Sequence, residues 1–286
     1  MRKSAMRIVL GGVRGSAALS HPDFMRFGGS TSAMLIEDGA GTRIVIDGGT
    51  GLRTLTPHLL SSAADAPVLM LFTHYHLDHL IGLPSFLPLY NPEWHILIAA
   101  PPCEGETAEL ALQRLTGRPF WPAPFRAQQR YLVLPERCGD RPLRHGPFDV
   151  RWCPVRHRYG CHAYRIDERA SGAAMVLATD LDLHASDESE HAALVKLCSE
   201  PRPADVLVME GYDAQSPFAG WGHSTWLDSV QIAKTAGVHR LVITHHSPDD
   251  DDRALGLREQ EVKAFFQPTS LGYEGMVIPW ERGDPC

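Results

Sequence analysis

The sequence predicts a domain of mixed α and β structure, and three observations support this. The chain has 286 residues, 44% of them hydrophobic and 21% charged, which is enough for a sizeable core. Short apolar runs of strand length recur along it, separated by segments with helical periodicity such as Leu52–Ser62 and Trp226–Ala236. Five of these runs lead to His, Asp or Glu. Since sites in α/β sheets lie beyond the carboxyl ends of strands, we expect these residues to share one site.

The composition narrows the range of functions. A formal charge of −7 argues against general nucleic-acid binding, which needs a basic face, but it is compatible with a small anionic substrate bound by metals. The six cysteines form no CxxC pair, so reduced and mostly buried thiols are expected rather than a zinc knuckle or redox motif. The apolar run after Met6 is too short for a signal peptide or a membrane span. We therefore expect a cytoplasmic protein without membrane contact, with no linker and a single domain over residues 1–286.

The predicted strand Val68–Phe72 leads to a close group of three imidazoles and one carboxylate. These are His74, His76, Asp78 and His79, which fall within six consecutive positions. Imidazole nitrogens and carboxylate oxygens are donors for zinc and similar divalent ions. In an extended chain the first two imidazoles face one side, and the next two donors can face a second point as the chain turns. This segment could therefore serve two metal ions; a polar loop that happens to be rich in histidine is the alternative interpretation.

Four later apolar runs repeat the pattern of a strand that ends at a donor residue. These predicted strands are Val150–Arg156, Ala174–Thr179, Asp205–Met209 and Leu241–Thr244, and the donors that follow them are His157, Asp180, Glu210 and His245. Each one alone is explained equally well as a surface residue at a strand end, but five strands with this property indicate a common site. His246 is an alternative to His245 because the two are adjacent. His245 is preferred because it directly follows the apolar run.

Loops between the strands supply further candidates. His223 lies in a glycine-held turn before the predicted helix Trp226–Ala236, where it either points at a ligand or simply forms the helix entry. Asp47 follows a predicted strand, and it either supports the site from behind or forms a turn before glycine. Glycine-rich turns near the start contain weaker candidates for contacts to phosphate, namely Arg14, Ser16 and Ser30.

The remaining elements follow from apolar periodicity. The other predicted strands are Arg7–Leu10, Ala33–Glu37, Arg43–Ile46, Trp94–Ala100 and Gly275–Pro279, and the other predicted helices are Thr107–Leu115 and Leu257–Phe266. The acidic run Asp249–Asp252 is interpreted as a solvated helix start. The apolar segment Phe86–Tyr90 suits a lip beside the site or a contact in a homodimer.

With these residues identified, the chain resembles the metallo-β-lactamase fold superfamily over nearly its whole length. The resemblance is carried by the donors His74-x-His76-x-Asp78-His79, His157, Asp180 and His245, in this order and each after a strand. The chain looks most like the branch of ribonuclease Z and related phosphodiesterases, which has counterparts of the segments Gly28–Ser32, Asp47–Gly51 and His223–Thr225. The fold that this implies is an α+β, four-layer αββα sandwich, in which two mixed β-sheets face each other, helices cover the outside and the site lies at one edge.

The resemblance also implies roles for the residues. It implies that His74, His76 and His157 bind one divalent metal ion, that Asp78, His79 and His245 bind a second, and that Asp180 bridges the two. Zinc is expected, with manganese or iron as alternatives, because nitrogen and oxygen donors accept all three. The catalytic residues are expected to be Asp78, His223 and Glu210. In this scheme His223 protonates the leaving oxygen, and Glu210 orients or recharges His223.

The function that the resemblance implies is a binuclear metal-dependent phosphodiesterase for a small phosphodiester such as a cyclic nucleotide. An RNA 3′-end processing nuclease is the second choice, because ribonuclease Z carries a long basic arm that grips transfer RNA and no such insertion is seen in this sequence. A hydrolase of carboxylic esters, lactones or thioesters could use the same two metals. A diiron oxidoreductase would carry a carboxylate at the position of His76, and a non-catalytic binding module would have lost ligands, of which none is obviously lost.

Overall fold

The computed structural model describes residues 6–60, 67–212 and 221–280. The last part of the predicted helix Leu52–Ser62 and the sixth cysteine, Cys286, lie outside the described residues. The five other cysteines are all free thiols, and four of them are buried, as the sequence predicts.

Fourteen strands in the described ranges form two sheets of seven. In chain order they are β1 (Arg7–Gly12), β2 (Ala33–Glu37), β3 (Arg43–Ile46), β4 (Val68–Leu71), β5 (His95–Ala100), β6 (Gln128–Val133), β7 (Leu143–His145), β8 (Phe148–Val155), β9 (Cys161–Glu168), β10 (Ala174–Ala178), β11 (Val206–Glu210), β12 (Leu241–Thr244), β13 (Thr269–Leu271) and β14 (Val277–Pro279). The first sheet has the order β14-β1-β2-β3-β4-β5-β6, and the second has the order β13-β12-β11-β10-β9-β8-β7.

Both sheets are mixed, and both are built by the same scheme. In the first sheet the pairs from β14 to β3 are antiparallel, and the pairs from β3 to β6 are parallel. In the second sheet the pairs from β7 to β10 are antiparallel, and the pairs from β10 to β13 are parallel. Each half of the chain therefore begins with neighbouring antiparallel strands and continues with parallel strands whose carboxyl ends lie along one edge.

Five α-helices within the described part of the chain cover the outer faces of the sheets. They are α1 (Leu52–Leu60), α2 (Ala108–Thr116), α3 (Glu188–Ser199), α4 (Trp226–Ala236) and α5 (Asp252–Phe265). Alternate residues of a strand point to opposite faces, and β4 shows this clearly. Its Leu69 and Leu71 belong to the apolar layer between the two sheets, whereas Val68 and Met70 pack with residues of α1 and α2. A third apolar layer lies between the second sheet and α3, α4 and α5. The predicted four-layer αββα sandwich is therefore confirmed.

Most predicted elements are present, and the differences have simple causes. Strands β2, β3 and β12 and helix α4 have the predicted bounds. Helix α5 begins at Asp252 rather than at the predicted Leu257, because the acidic run contains its N-cap: the Asp251 carboxylate accepts a hydrogen bond from the Ala254 amide. Strands β6, β7, β9 and β13 and helix α3 were not predicted from the sequence.

The apolar segment Phe86–Tyr90 is mostly interior. Phe86 and Leu89 are fully buried in the layer between the first sheet and its helices, and only Leu87 exposes much of its side chain. The apolar side chains of this segment, which suggested a lip or a dimer contact, therefore pack mainly into the core of this chain. None of the helices in the described ranges combines the length and the apolar character that crossing a bilayer requires.

Candidate metal centre and catalytic cavity

The donor residues predicted from distant parts of the sequence meet at one edge of the sandwich. The segment that follows β4 supplies His74, His76, Asp78 and His79, the last two from a short 3₁₀ turn. The second sheet supplies His157 after β8, Asp180 after β10 and His245 after β12. The sequence therefore places these residues correctly at strand ends, and the facing arrangement of the two sheets brings them together.

Three imidazoles form a first donor group. One ring nitrogen each of His74, His76 and His157 lies within 4.8 Å of the others. Nε2 of His157 is 3.2 Å from Nδ1 of His76, and the rings of His74 and His76 are 4.4 Å apart. The Nδ1 atom of His157 is hydrogen-bonded to the carbonyl oxygen of Gly222 at 2.8 Å, which leaves Nε2 for the centre of the group.

Two carboxylates and two imidazoles form a second donor group. It consists of Asp78, His79, Asp180 and His245. Nε2 of His79 lies 3.3 Å from Oδ2 of Asp78, and Nε2 of His245 lies 3.6 Å from the same oxygen. The Ser16 amide donates to this Asp78 oxygen at 2.9 Å, so the loop after β1 holds the carboxylate in place.

Asp180 presents one oxygen to each group. Its Oδ1 lies 3.8 Å from Nε2 of His74 and 3.7 Å from Nε2 of His157. Its Oδ2 lies 3.1 Å from Nε2 of His79 and 3.2 Å from Nε2 of His245. A carboxylate has two oxygens that can act separately, whereas an imidazole normally binds a single ion. The geometry is therefore that of two neighbouring donor groups joined by one shared carboxylate.

The polar atoms at the centre of these groups fit metal ligation. Nε2 of His74, His79 and His245 and Oδ2 of Asp180 are buried, and none of them has a hydrogen-bond partner among the described residues. Unpaired buried polar atoms are rare and call for an explanation such as a bound ion. Ligand atoms arranged tetrahedrally around an ion at about 2.0–2.1 Å are separated by about 3.3 Å, which is close to the distances within the second group. The donors present thus fit a divalent metal.

Burial and the neighbouring charges shift the pKa values of the donor residues. Burial acts to raise the pKa of Asp180, but the charges of His245 and His79 outweigh it and hold this pKa well below its usual value. Burial lowers the pKa of His74 well below 6.5, so this imidazole is neutral and free to coordinate. Burial also acts to lower the pKa of His245, but Asp180 and Asp78 raise it to about 10. A cation that binds to His245 therefore replaces a proton there.

Three residues at the strand ends adopt left-handed backbone conformations. Asp47, Asp180 and His245 have φ values of 63°, 58° and 53°. Such conformations cost of the order of 1–3 kcal/mol in residues other than glycine, and they persist where the surrounding structure enforces them, often at functional sites. Gly15 is needed for a related reason, since a Cβ atom at this position would lie 2.5 Å from Cε1 of His245. The backbone at this edge is therefore shaped to aim side chains at the cluster.

His245 and His246 have different environments, which separates the two alternatives. His245 belongs to the second donor group. His246 is buried behind it, where its Nε2 is hydrogen-bonded to the Gly272 carbonyl oxygen at 2.9 Å and its ring packs edge-on against Phe27. Burial lowers the pKa of His246 to about 3, so its ring is neutral. This geometry favours His245 as the ligand, as the sequence predicts.

Asp47 supports the site and is not merely a turn residue. Its Oδ2 accepts a hydrogen bond from Nδ1 of His79 at 2.9 Å, and its Oδ1 accepts one from the Thr73 amide at 2.8 Å. The hydrogen bond to Nδ1 leaves Nε2 of His79 facing the second donor group. A carboxylate that fixes the tautomer and orientation of a histidine ligand is typical of metal sites.

His223 lies beside the donor groups and is held by a buried carboxylate. Its Nδ1 is hydrogen-bonded to Oε2 of Glu210 at 2.8 Å, and its ring stacks on Tyr212 with a centroid distance of 4.2 Å. The amides of Leu181 and Ser224 each donate to Oε1 of Glu210 at 2.9 Å. Burial acts to raise the pKa of Glu210, but the charge of His223 and its hydrogen bond keep it below the ordinary value. Nε2 is thus the nitrogen that His223 offers to a ligand.

A cavity of about 350 Å³ opens onto these residues. Its lining residues are Ser16, His76, Asp78, His157, Arg158, Asp180, Trp221 and His223. Among the three phosphate-contact candidates, only Ser16 lines it. Arg14 is fully buried, and it donates to the carbonyl oxygens of Gly28, Ser247 and Asp250 instead. The Ser30 amide donates to Glu274, and Ser30 does not border this cavity.

Three residues of the site were not identified from the sequence. Arg158 and Trp221 line the cavity, and Tyr212 stacks on His223 while its hydroxyl lies 3.2 Å from Oγ of Ser16. Their nearness in sequence to His157, Glu210 and His223 was the available signal. No pattern in the sequence shows which side of a loop faces the cavity.

Comparison with known families agrees with this arrangement. The family model described as the beta-lactamase superfamily domain matches residues 42–246, which contain every donor in both groups. The chain belongs to this superfamily. The predicted family and the predicted class, a hydrolase of the metallo-β-lactamase fold, are confirmed.

Individual relatives cover most of the chain at low identity. The "Probable metallo-hydrolase YhfI" of Bacillus subtilis is 26% identical over 262 residues, which are 88% of this chain and 93% of that protein. The crystal structure of YhfI has a TM-score of 0.70 with 22% identity and covers 96% of this chain and 99% of the other. Ribonuclease BN of Cronobacter sakazakii is 26% identical over 254 residues, which are 72% of this chain and 79% of that protein. A diphosphatase of the PhnP family shares the fold, with a TM-score of 0.66, 17% identity and 96% coverage of both chains.

Proposed function

We propose that this protein is a binuclear metal-dependent phosphodiesterase that acts on a small phosphodiester such as a cyclic nucleotide. The observation that carries the proposal is the position of Asp180, which turns one carboxylate oxygen to each of two donor groups at the floor of the cavity. A relative described as a metallo-hydrolase supports a metal-dependent hydrolysis, and a relative described as a ribonuclease supports a phosphodiester as the bond that is cleaved.

In this proposal the two donor groups each hold one divalent ion. His74, His76 and His157 hold the first, Asp78, His79 and His245 hold the second, and Asp180 serves both. Zinc suits these nitrogen and oxygen donors, and manganese or iron would also be accepted. When bound, such ions neutralise charge on a phosphate and lower the pKa of water, which one zinc ion brings from about 15.7 to about 7.

His223 is proposed to give a proton to the leaving oxygen. It lines the cavity beside His157, with the two rings 5.3 Å apart, so it reaches a phosphodiester bound over the donor groups. Its Nδ1 is committed to Glu210, and Nε2 is left to carry the proton that is transferred. A correctly placed general acid contributes about 10²–10⁴-fold to a rate when the leaving group is a poor one.

Glu210 is proposed to act through His223. The carboxylate is fully buried and does not line the cavity, and it receives hydrogen bonds from two backbone amides besides His223. It therefore fixes the orientation and the tautomer of the imidazole. Of the two roles that the sequence suggested, orientation fits this burial better than recharging from solvent.

The experiment that tests the function uses leaving groups of different basicity. Protein loaded with zinc or manganese is assayed with bis(p-nitrophenyl) phosphate and with nucleoside cyclic phosphates, alongside the variant His223→Ala. We expect the wild type to hydrolyse both classes. The variant should lose about 10²–10⁴-fold in kcat on the cyclic phosphates, whose alkoxide needs protonation, and much less on the p-nitrophenyl ester, with its metal content unchanged.

A matched control is His95→Ala, since His95 is an exposed histidine at the start of β5, at the opposite end of this strand from its carboxyl end. It should behave as the wild type. Metal-loaded protein that turns over neither class of substrate would contradict the proposed function. An equal loss on both leaving groups, or none, would contradict the acid role of His223.

A second candidate, an RNA 3′-end processing nuclease, is favoured by the relatives named ribonuclease BN and ribonuclease Z. The same donor groups serve both reactions. Incubation with a transfer RNA precursor decides between them: precursor cleavage with a kcat/KM well above that for the cyclic phosphates would favour the nuclease, and the reverse order favours the small-substrate enzyme.

A further inference from the structure

A second cavity of about 430 Å³ lies next to the metal cavity. The two share three lining residues, His157, Arg158 and Trp221. The second cavity holds none of the other donors of the two groups, and its remaining lining residues are Glu104, Arg156, Tyr159, Asp182, Ala185 and Gly222. A substrate that reaches the donor groups therefore has room for a further group on this side.

Two aromatic rings border the second cavity and are largely exposed. Trp221 exposes 52% of its surface and Tyr159 exposes 58%. Large aromatic side chains are mostly buried in folded proteins, and they recur in binding sites where a flat apolar partner can cover them. These two rings give the cavity the surface that a planar aromatic ligand group would cover.

Both residues neighbour imidazoles of the first donor group. Tyr159 has a left-handed backbone, with φ of 66°, and its ring meets the ring of His76 edge-on at 6.1 Å. Trp221 directly precedes Gly222, whose carbonyl oxygen is hydrogen-bonded to Nδ1 of His157 at 2.8 Å. The second cavity therefore lies beside His76 and His157, two imidazoles of the first donor group.

The charges around the second cavity nearly balance. Arg156 and Arg158 face Glu104 and Asp182, and Arg156 is also paired with Glu190 at 3.1 Å. This balance does not favour a second phosphate or a polyanionic strand. Arg158 is exposed, has no ion pair among the described residues, and borders both cavities. It stands where the phosphate of a substrate would join the group in the second cavity.

We propose that the second cavity is a nucleoside subsite, in which the base covers Trp221 and Tyr159 while Arg158 binds a phosphate oxygen. This inference rests on the proposed phosphodiesterase function and narrows its substrate class to phosphodiesters of mononucleotide size. Cavities of this size are typical of sites for single small molecules. The neutral base suits the balanced charges. The anionic phosphate suits the exposed guanidinium of Arg158 and the candidate metal centre.

A matched pair of substrates tests the subsite. Adenosine 2′,3′-cyclic phosphate and glycerol 1,2-cyclic phosphate contain the same five-membered cyclic diester, and they differ in the nucleoside. We expect the wild type to prefer the adenosine substrate. In Trp221→Ala the ratio of the two kcat/KM values should fall about 5- to 150-fold, as the loss of base stacking on an aromatic ring predicts, with metal content unchanged.

Trp221→Phe retains an aromatic face and should restore most of the ratio. Tyr159→Asn, chosen because asparagine tolerates the left-handed backbone, should lower the ratio in the same direction. Phe120→Ala removes another ring that is 76% exposed but borders neither cavity, and it should leave the ratio unchanged. A Trp221→Ala variant with an unchanged ratio, or with equal losses on both substrates, would overturn the subsite.

The outcome for the subsite can be separated from that for the proposed function. If the wild type hydrolyses the glycerol substrate, the phosphodiesterase activity holds whatever the variants show. If it hydrolyses neither, adenosine 5′-monophosphate and inorganic phosphate are titrated calorimetrically into the metal-loaded protein. Weaker binding of the nucleotide alone in Trp221→Ala supports the subsite, and equal binding by wild type and variant refutes it.

Discussion

The two sheets contribute to the metal centre in different ways. The first sheet delivers its four donors from one contiguous segment, His74–His79, directly after β4. The second sheet delivers one donor from each of three loops, at His157, Asp180 and His245. Its parallel register aligns the strand ends, since Ala178 pairs with Met209 and Glu210 pairs with Thr244. The positions of the first sheet's donors relative to one another are thus set by local chain geometry. The positions of the second sheet's three donors depend on correct pairing of the whole sheet.

The largest effect on metal binding and activity is expected at Asp180, which faces both donor groups. Asp180→Asn removes the charge of the carboxylate that faces both donor groups. We expect metal loss and a fall in kcat/KM of about 10³-fold or more, because several kcal/mol of charge stabilisation disappear. Metal content and turnover of bis(p-nitrophenyl) phosphate are the measurements.

Asp187→Asn is the control for this change. Asp187 caps α3 on the surface of the same sheet, and asparagine is an equally good N-cap. This variant should keep its metals and its activity. Retention of both metals and full turnover by Asp180→Asn would show that the carboxylate is not shared in the way proposed.

A smaller effect is expected at Asp47, whose carboxylate is hydrogen-bonded to His79 in the donor segment of the first sheet. Asp47→Asn weakens the hold on Nδ1 of His79, and losses of about 10–100-fold in metal affinity are typical of such supporting carboxylates. Competition with a chelator measures the affinity. Asp38→Asn alters another turn aspartate of this sheet, whose Oδ1 accepts hydrogen bonds from the Ala40 and Thr42 amides of its own turn, and should leave the affinity unchanged. Equal affinities in wild type and Asp47→Asn would reduce Asp47 to a turn residue.

The smallest effect on the site is expected at His246, which lies behind the candidate ligand His245. His246→Ala removes a buried ring that bonds the Gly272 carbonyl, so it should lower the free energy of unfolding by about 1–3 kcal/mol while both metals are retained. His245→Ala should lose metal from the second group. Thermal or denaturant unfolding and metal analysis of both variants test this, and metal loss in His246→Ala would reverse the assignment.

The sequence predicted the bounds of an element best where a single local pattern determines them. Strand β12 and helix α4 have their predicted bounds, because an apolar run and a capped amphipathic segment are local patterns. Strand β9 was missed because charged residues interrupt its pattern. The structure accommodates its buried Arg165 by an ion pair with Asp167 and a hydrogen bond to the Leu197 carbonyl oxygen at the end of α3. The ion pair lies within β9, but the hydrogen bond reaches a distant element, α3, and the sequence of the strand does not show it.

Helix α3 shows a signal that was present and not used. Its N-terminus is a capping box, in which the Asp187 side chain accepts from the Glu190 amide and the Glu190 side chain accepts from the Asp187 amide. The spacing of these two acids in the sequence is the signature of a helix start. For Tyr212 and Trp221 there is no comparable signature, since their roles depend on which loop faces the cavity.

The sequence by itself determined the donor chemistry: which residues can bind metal, and that each follows a strand. Only the tertiary structure decided how they are shared. It turned the two oxygens of Asp180 toward different groups, placed His245 inside and His246 behind, and set Trp221 and Arg158 beside a second cavity. The physical reason is that side-chain type and periodicity are local properties, whereas the meeting of loops from two sheets depends on strand register and packing across the whole sandwich.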